Sequence, residues 1–566
     1  MNVGRQTTLA AVISCVLACP WDAQANVSLK NGNFFIGFTD VIFQGGLEMK
    51  VERVYNSKTD FKGMFGWGWG TDYESYCTPE LDGSILFHQY GGGAEVAFMP
   101  MSGSILPERA AGVLLEQALK TDRLASTRLG YTEYRHKLDR DASFRRDEEA
   151  AIRKSSKSTL RPAELPPPGT KLESHRFGYE VIDVRPDGLR RTKEGTSTQV
   201  FDRQCALSRI EDKNGNYVEL TYRPGERSAS GAPEIDMIRD NDGRELHYTW
   251  TGGLVTDIRT KDGHRATYRY VGSELVETKD VDGNVYRYRY SPDSRHDMIA
   301  IEYSDNTTME ITYVPPWKQE SVHSVKDRDG TLTVYGYSIP DATRADVGVE
   351  VFGSNGDLIS RSSYLYRFAT TPQGESYDAS LTTILDGDRT VTSYTPHGLP
   401  TLIEHGSEVT RFAYDDEGHV TLKDTPTEST ELAYDLVVKK VVSVKRYPHL
   451  QPDKATTSEF RYDSKGNLVW ALSSEGKELR LEYDDHGRIR AIQAVHGPTI
   501  RFEYNANSKP VRITQVGVGD ITVTYSSNGE IEKVDSSAGR KIALEVTTVF
   551  QELLDVIRPA GVSLSF

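Results

Sequence analysis

Tyr462-Asp463-Ser464-Lys465-Gly466 returns 21 residues later as Tyr483-Asp484-Asp485-His486-Gly487. It returns again, in weaker form, as Tyr504-Asn505-Ala506-Asn507-Ser508 and Tyr525-Ser526-Ser527-Asn528-Gly529. An earlier copy begins at Tyr414 and Asp415 and closes on Gly418. A fixed period of this length marks a repeat architecture, in which one unit cannot bury its apolar face alone and does so against its neighbours. Such chains hold, bind or enclose more often than they catalyse.

The residues between the copies decide what the unit is. In Val285-Tyr286-Arg287-Tyr288-Arg289-Tyr290 the tyrosines fall on one face of a strand and the arginines on the other. Leu479, Leu481 and Tyr483 alternate with Arg480 and Glu482, and Ile500, Phe502 and Tyr504 with Arg501 and Glu503. Turn signals recur at Asn214-Gly215, Asp242-Gly243, Asp262-Gly263, Asp282-Gly283 and Asp329-Gly330. These pairs supply the positive backbone angles of tight hairpins. A unit of 20–21 residues fits two strands of about seven residues, each about 23 Å long, plus two short turns. The expected fold is all-β: a sheet lengthened hairpin by hairpin and curling into a partial or complete shell, its tyrosine rings stacked strand upon strand.

Four segments are expected. Residues 1–25 read as a secretory signal, with Arg5 before an apolar run from Leu9 to Ala18 and Ala23-Gln24-Ala25 as the cleavage site. Val16-Leu17-Ala18-Cys19 offers lipid attachment instead, but Pro20 argues against it, so soluble export is favoured. Residues 26–103 alternate as strands and carry Gly63-Met64-Phe65-Gly66-Trp67-Gly68-Trp69. Residues 104–170 break the alternation. Helix formers at 113–119 and 145–154 predict a helical, partly flexible insertion near 104–165, stopped by Pro166-Pro167-Pro168. Residues 171–566 are the repeat region. No other stretch is long and apolar enough to span a membrane. The net charge of −15 excludes a basic nucleic-acid footprint.

The Tyr-Asp-x-x-Gly copies resemble the YD repeats of rearrangement-hotspot (Rhs) proteins, and Val54-Tyr55-Asn56-Ser57 with Gly63–Trp69 resembles the N-terminal region of that family. The resemblance implies a long β-sheet coiled into a hollow shell, which in related bacterial toxins encloses a C-terminal toxic domain and in teneurins serves adhesion; carbohydrate binding is a further role proposed for such repeats. The family's Asp-Pro-Xaa-Gly type motif and self-cleaving aspartate are absent, and Ser563-Leu564-Ser565-Phe566 is strand-like rather than toxin-like. The resemblance therefore implies a scaffold whose partner is a separate polypeptide, such as a toxin. Alternatives are an envelope adhesin or glycan binder and a degenerate toxin remnant.

No catalytic residue, cofactor or metal site is expected. Gly-x-Ser-x-Gly, His-Glu-x-x-His and a phosphate-binding Gly-rich loop are missing. Asp240-Asn241-Asp242-Gly243, Asp280-Val281-Asp282-Gly283 and Asp327-Arg328-Asp329-Gly330 resemble part of a calcium loop, but Thr249, Arg289 and Gly336 stand where the closing glutamate belongs. Hairpin turns are the better reading. Cys77 and Cys205 are candidates for a disulfide in an oxidising compartment. Trp67 and Trp69 could stack on a ligand such as a sugar, or be buried. An open last strand would expose unpaired backbone groups, so the edge must be covered by the chain itself, by a second copy or by a protein partner.

Overall fold

Period-two alternation makes each unit a hairpin, and the hairpins pair in chain order. The computed structural model describes residues 26–89, 93–101, 107–176, 178–193, 197–293, 295–314, 321–372, 376–495, 497–525 and 531–537. One antiparallel sheet of 36 strands runs from Tyr76–Pro79 to Ile531–Ser536. The sheet is open, since its first and last strands do not pair with each other among the described residues. The signal segment, Gly529 and the strand-like tail lie outside the described residues.

The wall begins earlier than residue 171. Strands Tyr76–Pro79, Ile85–Gln89 and Ala94–Pro100 belong to it, and Met99 and Pro100 pair directly with Glu173 and Leu172. The insertion therefore leaves from between two neighbouring strands. It contains α1 (Pro107–Lys120), α2 (Arg123–Ser126), α3 (Tyr131–Arg140) and α4 (Ala142–Arg153). Far from a loose excursion, these helices share an apolar core of Ala111, Leu114, Leu115, Ala118, Tyr134, Leu138 and Ile152. Asp141 caps α4 by accepting from the Phe144 amide at 2.9 Å. Arg145 ties α4 to the wall through Asp82, 3.3 Å away with both side chains buried.

Ahead of the wall, residues 26–75 form a small separate sheet of Asn26–Ser28, Asn33–Phe43, Met49–Asn56 and Trp69–Gly70. Phe34, Ile36, Phe38, Met49, Tyr55, Phe65 and Trp69 from this block share one core with Tyr248, Ile258, Tyr268, Tyr288, Ile301 and Ile311 of the wall. A second core, from Leu432 to Val523, gathers alternate residues of the later strands. Between them, from residue 358 to 424, Ser362 is the one buried residue among those described.

The first edge is sealed. Tyr76 bridges to Ala206, and Cys77 forms a disulfide with Cys205, 128 residues away. The edge strand is thus fastened to a later turn instead of standing free. A loop of that length makes the link worth about 4–5 kcal/mol in the chain-entropy account.

Antiparallel strands place successive turns on opposite rims, and this fixes how the ribbon coils. The turn at Asp212–Asn216 and the turn at Asp463–Asn467 are separated by 21 strands, so they lie on opposite rims. Yet they touch: the Lys213 ammonium donates to the Gly466 carbonyl at 2.8 Å, and the Asn467 amide to the Asn214 side chain at 2.9 Å. The His175 and His397 rings meet in the same way, 4.5 Å apart. The sheet is a spiral ribbon whose rim meets its opposite rim one wrap later. At about 4.8 Å per strand, a wrap of 21 strands is about 100 Å around.

Candidate binding surfaces of the wall

The repeat tyrosines do not simply stack. Each follows a one-residue bulge near the end of its strand, as between Glu482 and Tyr483, and its phenol reaches back across the sheet to a main-chain carbonyl. Tyr483 donates to Leu468 O at 2.8 Å, Tyr504 to Ile489 O at 2.7 Å and Tyr525 to Pro510 O at 2.9 Å. Each acceptor is the residue paired with the previous tyrosine: Leu468 with Tyr462, Ile489 with Tyr483 and Pro510 with Tyr504. Tyr414, Tyr434 and Tyr462 continue the ladder upstream through Pro400, Val420 and Val441. The same ladder serves the first half. Trp250 donates to Ile235 O, Tyr270 to Val255 O, Tyr290 to Leu275 O and Tyr313 to Met298 O. Burial pushes the Tyr504 phenol up to about 12, so it stays a donor at any ordinary pH.

The aspartate and glycine of the repeat build the turn. Asp463 accepts from the Lys465 and Asn467 amides at 2.9 and 2.8 Å, and Gly466 adopts φ +79°. Asp415 with Gly418 and Asp484 with Gly487 do the same. The Asp-Gly turns of the first half use this side-chain clasp on the opposite rim, Asp240 and Asp280 being buried under their own turns. Among the described residues no group of three or more His, Cys, Asp or Glu side chains is placed to hold a metal.

The two tryptophans differ in burial. Trp69 is fully buried between Tyr55, Phe38 and Tyr288, and its indole N–H donates to the Tyr290 hydroxyl at 2.9 Å. Trp67 is partly buried, with one face against the His296 ring 4.7 Å away. Trp69 has no free face for a ligand, and burial is the role the structure gives it.

Sequence reasoning missed the group that seats the N-terminal block. Arg53 and Asp40, 0 % and 1 % exposed, form a two-pronged pair at 2.5 and 2.8 Å. Tyr268 donates to the same carboxylate at 2.8 Å, and the Arg53 guanidinium lies 4.8 Å from the Trp69 ring centroid. A charge pair buried this deep is tolerated because hydrogen bonds and aromatic faces surround it. Glu74 is buried nearby. It accepts from the Met64 amide at 2.6 Å while its second oxygen has no partner, and burial pushes its carboxyl up to about 8. The signal was present in the alternation of Lys50 to Tyr55, which puts Arg53 among Val51 and Tyr55 on the apolar face.

Two surfaces among the described residues are candidates for binding. One is the middle of the wall. There Tyr335, Tyr337, Val347, Tyr364 and Tyr366 share a face by cross-strand pairing, Tyr337 opposite Val347 and Val347 opposite Tyr364. Tyr335 joins this face to the covered core, but Tyr337, Tyr364 and Tyr366 are only partly buried. The other is a polar cavity of about 420 Å³ among the first strands of the wall, lined by Gln89, Glu180, Arg191, Lys193, Ser197 and Gln199. Arg191 is already engaged there, by Glu180 at 2.7 Å.

Residues 375–517 and 440–563 match the family model described as the teneurin YD-shell. The chain's repeat region is of the YD-shell type. Residues 24–98 match a second family, described as a domain of unknown function, DUF6531. No curated protein sequence matches. Among solved structures, the YD-repeat chain is similar to TcdB2-TccC3-Cdc42, at 11% identity and a TM-score of 0.37 over 93% of this chain. It is similar to TcdB2-TccC3 without its hypervariable C-terminal region, at 11% identity and a TM-score of 0.37 over 89% of this chain. A porin-like protein from Bacteroides uniformis matches 44% of the chain and 88% of its own, at 9% identity and a TM-score of 0.15. The YD-repeat chain spans 30% of the length of either TcdB2-TccC3 chain. Its fold is a shell-like scaffold. No helix among the described residues is long and apolar enough to cross a membrane.

Proposed function

We propose that this YD-repeat chain is an exported, non-enzymatic scaffold that binds or encloses a partner polypeptide, such as a toxin supplied separately. The observation that carries this reading is the half-open aromatic face of the middle strands. Tyr337, Tyr364 and Tyr366 continue the face that residues 26–75 cover further up, and Lys30 of that block reaches toward them, pairing with Asp378 at 2.7 Å. A stiff wall curving round such a face suits a polypeptide better than a small ligand, because tyrosines supply contact area at little entropic cost. The disulfide supports an oxidising destination. A glycan-binding adhesin is the alternative, and it would need an aromatic face other than buried Trp69.

Recovered from the exporting cell, the protein should bring down one polypeptide in constant ratio, identified by mass spectrometry and shielded from added protease. Tyr337→Ser with Tyr364→Ser should reduce its recovery several-fold while the circular dichroism spectrum holds. A lone monomer under every condition would overturn the proposal.

A further inference from the structure

We infer that the spiral wall opens and closes as a clamshell: it parts along the rim-to-rim seam between residues 212–216 and residues 463–487, and bends within residues 358–424.

Between these turns the described contacts are polar, and the His175–His397 ring contact extends the seam. Lys213 donates to Gly466 O at 2.8 Å and Lys465 to Asn214 O at 3.3 Å. The Asn467 amide donates to the Asn214 side-chain oxygen at 2.9 Å. One turn further along, the Asn216 amide donates to His486 O at 2.9 Å, and the His486 ring nitrogen lies 3.0 Å from the Asn216 side-chain oxygen. Asn214 also seats over Gly487, where a Cβ would lie 2.0 Å from its amide nitrogen. The two apolar cores on either side have no member in common among the described residues. A contact made of a few hydrogen bonds yields before one that buries apolar surface, because each bond is exchanged with water at small net gain whereas burial scales with area.

Opening also needs a place to bend. Each half is stiffened by its own core and phenol ladder. The stretch between them keeps a rung of the ladder, Tyr414 to Pro400, but has no core: its six strands, from Leu358–Thr370 to Val420–Asp424, contain one buried residue among those described, Ser362. Few buried contacts and many exposed backbone hydrogen bonds mark the low-stability part of a fold. A sheet can change its coil here by transiently opening these exposed backbone hydrogen bonds while its strand order is kept. The bend and the seam are then one device, and it operates whether or not a partner is enclosed.

Hydrogen exchange read by mass spectrometry, with small-angle scattering on the same samples, tests this in the full chain. Lys213→Met with His486→Ala removes seam bonds and touches neither core. It should speed exchange at residues 212–216, 463–467 and 358–424 by about tenfold and enlarge the radius of gyration, with strands 217–325 and 478–525 unchanged. Unchanged exchange at 358–424, or equal acceleration in every strand, would overturn the inference. Should the double variant not fold, wild type in rising sub-denaturing guanidinium decides. Seam and bend amides should then exchange together, well before either core; exchange only on global unfolding would refute it.

Discussion

Strands 217–325 and strands 428–525 use the same hairpin, bulge and phenol-to-carbonyl rung, yet they are stabilised differently. In the first region the mid-strand residues facing the core include Tyr248, Tyr268 and Tyr288, and a foreign layer, residues 26–75, packs over them. In the second the equivalent face carries Leu479, Leu481, Ile500 and Phe502, which cluster among themselves. Buried carboxylates follow the same division: Asp40, Glu74, Glu234, Asp240, Asp257, Asp280 and Asp297 in or beside the first region, and none among the described residues of 428–525. The repeat therefore builds the wall, and the residues between the repeat's fixed points record what lies against it. Hydroxyl-bearing rings appear where the wall must meet buried charge, and aliphatic chains where it meets only itself.

The widest separation between the regions is expected from Asp40→Ala. It strands the Arg53 guanidinium without its partner and should cost about 3–5 kcal/mol. Hydrogen exchange should show strands 245–290 losing protection while strands 478–525 keep theirs. Equal loss in both would mean that the two cores fold as one unit.

Glu74 sharpens the comparison through pH. Its folded carboxyl titrates at about 8, above the ordinary value of 4.5. As pH rises from about 4.5 to about 8 the unfolded chain gives up this proton and the folded chain keeps it, so the group lowers stability across that window. Glu74→Gln should then match wild type near pH 4.5 and exceed it by a few kcal/mol above pH 8. Denaturant melts at the two pH values read this directly, and a gap that does not widen would place the carboxyl elsewhere.

The smallest expected effect concerns what the regions share. Tyr270→Phe and Tyr483→Phe each remove one rung and should cost about 1 kcal/mol, alike in both halves. If Tyr270→Phe costs several times more, its hydroxyl does more in the covered region than hold a carbonyl.

Much of the wall was legible because two periods coincide. The alternation at Leu479–Tyr483 and the return of Tyr-Asp-x-x-Gly every 21 residues both require hairpins, and the strands at Glu478–Tyr483 and Thr499–Tyr504 lie where they indicated. Helix formers likewise marked the insertion, although its packing onto Asp82 rests on a charge pair 63 residues apart. The phenol acceptors were illegible. Leu468 becomes Tyr483's partner only once the bulge at Tyr462 sets the register, and Trp250 fills a tyrosine's place without matching the motif. Asp40 was hidden for a related reason: a bulge between Thr39 and Val41 shifts the register of its hairpin.

The backward reach of each phenol has a bearing on inheritance. Because a unit borrows its acceptor from the unit before it and lends one to the unit after, a whole copy can be duplicated or excised and every surviving hydroxyl still finds a carbonyl. A deletion ending mid-unit leaves a hydroxyl without one. Genes for such chains can therefore change copy number in steps of 20 or 21 codons while the product keeps folding, so the length of the wall is free to drift.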